Sequence, residues 1–207
     1  MMPVTLSNTL ILIIFTAVIS ILAFNNRALK GRLIFWPPAI KRGQLYRFIT
    51  HGFIHADGNH LLLNLFTLYF FGTVMEPLYQ PYLGGYGFFA FYLSAIVAAI
   101  IPSYLTHRNH PNYASLGASG AVSAVLFAYI LLAPWNMLYI FAAVPIPAIV
   151  FALLYTAYSI YAQKRARDNI NHSAHLWGAT YGIIVTIVLK PQVVPHFIKQ
   201  LLSPDFF

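Results

Sequence analysis

The sequence predicts an all-α membrane protein with six transmembrane helices, in a single domain over residues 1–207. Of its 207 residues, 59% are hydrophobic and only 8% are charged, whereas a soluble domain carries about 25% charged residues. Between Arg47 and Lys164 only three residues are charged: Asp57, Glu76 and Arg108. Long stretches without charge are typical of helices that cross a lipid bilayer.

Six apolar runs approach the roughly 20 residues that a helix needs to cross about 30 Å of hydrocarbon. We predict spans, with approximate bounds, at Leu6–Phe24, Asn59–Met75, Tyr86–Tyr104, Ser119–Leu132, Pro147–Ala162 and Ala174–Leu189. The first run lacks the basic start and the small-residue cleavage site of a signal peptide, so we expect it to be retained. The apolar stretch Trp135–Val144 is expected to be broken by Pro145 and Pro147 and to lie at the membrane interface.

The long connection Asn25–Gly58 is predicted to form an interfacial structure and not a flexible linker. It holds six of the twelve Lys and Arg residues and the motif FWPPAI. Aromatic and basic side chains concentrate where membrane meets water. The connection is therefore expected to fold at that boundary.

The basic residues point to the lipid bilayer as a partner and not to nucleic acid. The net charge is +8, but the Lys and Arg residues lie in short loops between apolar runs, where they are expected to contact lipid headgroups. The chain has no cysteine, which excludes disulfides and Cys-ligated metals. The sequence implies no cofactor and sets no oligomeric state.

The two sides of the membrane differ in positive charge. The loops before the second, fourth and sixth spans carry ten Lys and Arg residues: Arg27, Lys30, Arg32, Lys41, Arg42, Arg47, Arg108, Lys164, Arg165 and Arg167. The other side carries only Lys190 and Lys199. Taken alone, the positive-inside rule places the ten residues in the cytoplasm.

The fourth predicted span is too short to cross the membrane and begins with a serine between glycines. Ser119–Leu132 has 14 residues, or about 21 Å at 1.5 Å per residue. Its first residue is therefore expected at the bottom of a polar depression, since irregular backbone at that depth must be buried in protein or face water. The backbone N–H groups at a helix start could stabilise an oxyanion there. GASG alone equally fits helix packing or a simple N-cap.

A histidine near the start of the sixth span favours the catalytic interpretation. The second, fourth and sixth spans run in the same direction, so His175 is expected at the depth of Ser119. Gly178 and Gly182 form a G-x-x-x-G face that allows close helix packing and would bring His175 within hydrogen-bonding reach of Ser119. A histidine that activates a serine is the smallest nucleophilic unit. The alternative is a structural histidine.

The second span adds two polar side chains on the same side of the membrane. His60 and Asn64 are four residues apart and share one helix face. A neutral imidazole and an amide are suitable donors to a developing oxyanion. Asp168, in a basic loop, is expected to pair with Arg165 or Arg167, which leaves a Ser119–His175 dyad without a carboxylate.

These motifs together resemble the rhomboid intramembrane serine proteases, of the compact six-helix bacterial GlpG type. The resemblance covers nearly the whole chain and rests on YRFITHGFIH followed by NHLLLN, on G-x-S-G at Gly117–Gly120, and on AHLWGATYG. It implies Ser119 as nucleophile, His175 as general base, and His60, Asn64 and nearby backbone N–H groups as the oxyanion hole. It also implies a membrane-embedded first loop at Asn25–Gly58.

The resemblance carries three further implications. His51 and His55 match structural histidines. Position 123 is Ser where GlpG relatives carry a tyrosine that packs beneath the catalytic histidine, so the group that fixes His175 is left open. The family orientation puts the site at the extracytoplasmic face of the bacterial inner membrane, against the Lys and Arg distribution, and we favour that orientation.

The predicted function is cleavage of transmembrane protein substrates by a serine endopeptidase. One alternative is a catalytically silent relative that binds transmembrane helices, which the presence of both Ser119 and His175 disfavours. A transporter with its histidines along a path is disfavoured because no acidic residue lies in five of the six spans and no inverted repeat is visible. A zinc protease is disfavoured because H-E-x-x-H is absent, so we expect no metal.

Overall fold

The computed structural model describes residues 7–140, 143–165 and 170–203 and is mostly helical. Arg167, Asp168 and Asp205 lie outside the described residues. The described helices are α1 Asn8–Phe24, α2 Arg27–Leu33, α3 Pro37–Lys41, α4 Arg47–Thr50, α5 Gly58–Leu83, α6 Gly87–His107, α7 Ser119–Leu132, α8 Ala148–Arg165, α9 His172–Leu189 and α10 Val193–Leu202. A 3-10 turn occupies His51–Phe53, and two strands, β1 Met137–Ile140 and β2 Val144–Pro147, form an antiparallel hairpin.

Each of the six predicted spans contains a helix, but they differ in length. In the described part of the chain, α5 and α6 are long and apolar enough to cross a membrane, whereas α9 and α10 reach that criterion only as a pair bent by 112°. Helices α1 and α7 are apolar but shorter. The number of helices that cross the membrane therefore stays a prediction.

Helix α7 lies at the centre of the bundle. Eleven of its fourteen residues are buried, and it packs against α5, α6 and α9. A methyl group built on Gly178 would overlap the carbonyl oxygen of Gly120, and one on Gly182 would overlap that of Ala124. The predicted close packing of the G-x-x-x-G face against the fourth span is thus confirmed.

The connection between α1 and α5 is folded, as predicted. The buried guanidinium of Arg47 donates to the carbonyl oxygens of Gly31 (2.9 Å) and Ile34 (2.6 Å), which ties α2 to α4. Phe35 and Ser115 exchange two backbone hydrogen bonds of 3.0 Å. The connection is therefore fastened to the loop that precedes α7.

Helix α5 continues to Leu83, past the predicted end at Met75, and the carboxylate of Glu76 bonds to α1. Glu76 Oε1 accepts from the backbone and side-chain nitrogens of Asn8 (2.7 and 2.8 Å), and Oε2 accepts from the backbone nitrogen and hydroxyl of Thr9 (2.9 and 2.7 Å). A carboxylate is favoured at a helix N-terminus, where the first N–H groups lack helical partners. Glu76 therefore serves the start of α1, and α5 continues through Pro77 and Pro81.

The hairpin and α10 correct the prediction of an all-α chain with six helices. Pro145 and Pro147 do not leave an irregular segment: β2 contains both and pairs with β1. Proline fits here because a two-stranded ribbon leaves every second N–H of each strand facing outward. Helix α10 follows α9 after a sharp bend and is held by Trp135, whose indole nitrogen donates to the Gln200 carbonyl at 2.8 Å.

Candidate active site

The loop before α7 is fixed by hydrogen bonds from two successive backbone N–H groups, which set the position of Ser119. The N–H of Gly117 donates to the His51 carbonyl (2.9 Å), and the N–H of Ala118 donates to His55 Nε2 (3.3 Å). Gly117 has φ +116°, a conformation that side chains with a Cβ rarely adopt. Helix α7 then begins at Ser119, which is half-buried. The serine therefore stands at the first position of a helix whose approach is held from two sides.

His55 is a structural link, in agreement with the implication of the resemblance. Burial is the main cause that lowers the pKa of His55 to about 3 and of His51 to about 4, so both rings are neutral near pH 7. Because His55 Nε2 accepts from Ala118, its proton lies on Nδ1 and donates to Ser20 Oγ at 2.9 Å. His55 thereby connects α1 to the loop of Ser119.

The structure brings Ser119 and His175 together. His175 Nε2 lies 2.7 Å from Ser119 Oγ, a hydrogen-bonding distance. The pair meets because Gly178, one turn after His175, lies against the backbone of Gly120, the residue after Ser119. The predicted proximity is confirmed; the catalytic roles of the two side chains stay a prediction.

Asn171 fixes the start of α9 and was not predicted. Its side-chain oxygen accepts from the N–H of Ala174 (3.0 Å) and from Ser103 Oγ on α6 (3.1 Å). Its amide nitrogen donates to Ser115 Oγ in the loop before α7 (3.2 Å). The N-cap of the helix that carries His175 is therefore joined to the loop that leads into Ser119.

Of the two predicted oxyanion donors, His60 is the one placed against that loop. A methyl group on Gly117 would lie 2.7 Å from His60 Cε1, so the imidazole packs directly over the glycine. The Asp57 carboxylate caps α5 by accepting from the N–H of His60 at 2.8 Å. Asn64 is buried one turn later, and its amide nitrogen donates to the His60 carbonyl at 2.8 Å.

Tyr155 contacts the ring of His175, for which the sequence had left the supporting group open because position 123 is Ser. Its ring stacks on the His175 ring with centroids 5.9 Å apart and planes at 20°, and its hydroxyl lies 2.8 Å from Ser123 Oγ. Nothing in the sequence signalled this contact, because Tyr155 is one of several aromatic residues in an apolar helix. Within the described ranges, no three His, Asp or Glu side chains converge as a metal site.

Comparisons with known proteins place the chain in a family. The model of the Rhomboid domain matches residues 42–192. The chain is similar to "RHOMBOID-like protein 12, mitochondrial" from Arabidopsis thaliana, with 33% identity over 78% of this chain and 51% of the relative. It is also similar to "Rhomboid-like protein 11, chloroplastic" from the same plant, with 32% identity over 70% of this chain and 52% of the relative.

A bacterial relative has a name that states an activity. "Rhomboid protease GluP" from Bacillus subtilis (strain 168) is 28% identical over 79% of this chain and 30% of the relative. The chain spans about half the length, or less, of these curated relatives. The match to the Rhomboid domain covers most of the chain. This membrane protein therefore belongs to the rhomboid family.

Proposed function

We propose that the chain is an intramembrane serine endopeptidase that cleaves transmembrane proteins, with Ser119 as nucleophile and His175 as general base. The observation that carries the proposal is the 2.7 Å distance between His175 Nε2 and Ser119 Oγ. In this chemistry Nε2 accepts the hydroxyl proton while Oγ attacks the substrate carbonyl carbon. The protonated imidazole then donates to the leaving amine, and water, activated by the same base, releases the acyl group.

The developing oxyanion needs donors beside Ser119, and we propose three. The imidazole of His60 and the amide of Asn64 come from α5, and the third is the backbone N–H of Ser119 at the start of α7. The N–H of Ala118 is not among them, because it donates to His55 Nε2. Each proposed donor is neutral or a backbone group, so no buried formal charge is required.

The depth of Ser119 suits a substrate that is itself embedded in the membrane. Because α7 has 14 residues, it is about 21 Å long, and Ser119 at its start lies below the membrane surface. Hydrolysis consumes water, and water would reach the site from the side of the loops. We propose the six-span arrangement of GlpG type, with the bilayer and transmembrane substrates as partners.

We propose the cytoplasmic membrane of a bacterium as the location, with the site on the extracytoplasmic side. Gly58 and His110 would then lie outside, and Gln80 and Pro191 inside. Since the chain has no cysteine, single cysteines at these four positions can be labelled with an impermeant maleimide on intact cells. Labelling at position 80 and not at 110 would show that the Lys and Arg distribution, and not the family orientation, sets the topology.

A catalytically silent rhomboid that binds transmembrane helices is the second candidate, because two plant relatives are named rhomboid-like and not protease. A fluorophosphonate separates the two candidates, because it reacts with an activated serine without any knowledge of the substrate. We expect mass spectrometry to find one adduct, on Ser119. A protein that is folded and unmodified would support the silent candidate.

The dyad is tested by Ser119→Ala, His175→Ala and the double variant. Each should abolish cleavage of a reporter transmembrane protein, and the double variant should be no worse than either single, because residues that act as a unit are non-additive. Ser94→Ala and His196→Ala are matched controls on other parts of the bundle and should keep activity. EDTA should leave the wild type active, and near-normal turnover by Ser119→Ala would refute the proposal.

A further inference from the structure

The imidazole of His175 lies against an aromatic ring supplied by α8. The 5.9 Å separation and 20° angle between the Tyr155 and His175 rings describe an offset stack, within the 4.5–7 Å range of favourable aromatic pairs. A ring stacked on one face restricts rotation of the imidazole. The stack leaves the ring edge, and so Nε2, directed at Ser119 Oγ.

Tyr155 is itself held in place. Its ring stacks on Phe151, one turn earlier in α8, with centroids 5.6 Å apart, and meets Phe127 of α7 at 5.7 Å. Its hydroxyl is anchored 2.8 Å from Ser123 Oγ. A ring with contacts on its faces and at its tip has little freedom to turn, so it can act as a fixed surface.

Ser123 makes room for this arrangement. It lies four residues after Ser119, about one helical turn along α7, and its small side chain is buried. The rhomboid pattern expects a tyrosine at this position of α7. In this chain the aromatic ring comes from the neighbouring helix, and the serine supplies the hydroxyl that anchors it.

We infer that Tyr155 is a positioning residue for His175: it holds the imidazole in the orientation that aims Nε2 at Ser119 Oγ, and Ser123 anchors it. The inference rests on the proposed serine-protease function. Misplacement of a reacting group by about 1 Å can cost about 10²-fold in rate. Loss of the ring should therefore lower kcat, while KM should change little, because the ring acts on the orientation of His175 and not on substrate binding.

The test uses the full chain in detergent or liposomes and measures kcat, KM and the rate of fluorophosphonate modification of Ser119. Tyr155→Met should lower kcat and the modification rate by about 10- to 100-fold, with KM within about twofold. Tyr155→Phe keeps the stack and should restore most of the rate, with a loss of about threefold from the missing hydrogen bond. Adding Ser123→Ala to Tyr155→Phe should cost nothing more, since both remove the same bond.

Tyr161→Leu is the matched control. Tyr161 is on the same helix, is half exposed and contacts Arg165 rather than the dyad, so its loss should leave all three readouts unchanged. Introducing Ser123→Tyr beside Tyr155→Met should recover part of kcat by returning the ring to α7.

The outcomes separate this inference from the proposed function. A wild-type protein that is never modified at Ser119 would overturn both. The inference alone would be overturned if Ser119 of the wild type is modified and Tyr155→Met and Tyr155→Phe are modified at the wild-type rate. If Tyr155→Met does not fold, Tyr155→Phe and Ser123→Ala decide: an equal threefold loss of kcat at constant KM supports the inference, and wild-type kcat in both refutes it.

Discussion

Helix α7 meets two of its neighbours, α9 and α8, in opposite ways. Toward α9, backbone faces backbone: there is no room for a methyl group between Gly178 and the Gly120 carbonyl. Toward α8, side chains fill the space, with the Phe127 and Tyr155 rings in contact, and a groove of about 380 Å³ opens between α7, α8 and α10. The α7–α9 contact leaves no unfilled space, whereas the α7–α8 contact does.

This difference assigns separate tasks to the two sides. In lipid there is no hydrophobic drive to bring helices together, so close packing of small residues and interhelical hydrogen bonds must do so. The α9 side therefore sets the distance between Ser119 and His175. The α8 side contributes the orientation of the His175 ring and can adjust without separating the pair.

The largest effect is expected from filling the tight contact. Gly178→Val forces α9 away from Gly120, because the added atoms overlap backbone that cannot rotate aside. A shift of an ångström or more between Ser119 and His175 should lower activity by at least about 10²-fold, and overpacking should destabilise the fold by about 1–3 kcal/mol. Activity and thermal unfolding are measured together.

Ala90→Val is the control for that substitution, since Ala90 is exposed on α6 and a larger apolar side chain there meets lipid. Its activity and Tm should match the wild type. A Gly178→Val protein with normal turnover would mean that the dyad distance is set elsewhere than at the α7–α9 contact.

The next largest effect is expected from the proposed oxyanion donors of α5. Asn64→Ala and His60→Ala should each lower kcat by about 10²–10³-fold, or about 3–4 kcal/mol in the transition state. KM should change less, because the hydrogen bond forms mainly in the transition state. Both variants should still react with a fluorophosphonate, more slowly, since His175 continues to activate Ser119.

His60→Ala should also lower Tm, because the imidazole packs over Gly117. The matched control is His107→Ala: the His107 ring bonds within its own helix, with Nδ1 3.0 Å from the Ser103 carbonyl, and it is not a proposed donor. Unchanged kcat in folded Asn64→Ala and His60→Ala proteins would make both residues structural.

A smaller effect is expected at Asn171, which joins α9 to the loop of Ser119. Asn171→Ala removes the N-cap and should cost about 1 kcal/mol of stability. Asn171→Asp keeps the oxygen that accepts from Ala174 and Ser103 but loses the donor to Ser115. We expect Asn171→Asp to keep the wild-type Tm, and activity to fall modestly in both variants. A wild-type Tm for Asn171→Ala would show that the N-cap does not stabilise the protein.

The tight side of α7 could be predicted from the sequence because its signals are local. The glycines around Ser119 at one end and the end of the apolar run at the other predicted the bounds Ser119–Leu132, which the structure reproduces. The spacing of small residues after His175 indicated the close α7–α9 contact. The catalytic roles inferred from the same motifs stay predictions.

The other features depend on contacts between distant segments. The hydrogen bonds of Glu76 to the start of α1 could not be predicted, because the partners Asn8 and Thr9 lie 67 or more residues away. Tyr155 resembles every other aromatic residue in α8 until α8 and α9 are packed side by side. The hairpin is too short for an alternating pattern to stand out from an apolar run.

The smallest effect is expected on the outer face of α8, and it tests whether that side is as tolerant as its packing indicates. Leu153 is 65% exposed and borders the groove. Lipid is as apolar as leucine, so Leu153→Ala should change the free energy of unfolding by less than about 0.5 kcal/mol. Leu68→Ala, at a leucine that is 1% exposed, should cost about 2–5 kcal/mol through the cavity it leaves.

If Leu153→Ala keeps its Tm and its fluorophosphonate reaction but cleaves the reporter more slowly, the dyad is intact and the loss lies in how the substrate reaches it. The groove beside α8 would then be a surface that the transmembrane substrate contacts, and the unfilled space on this side of α7 would be needed for turnover.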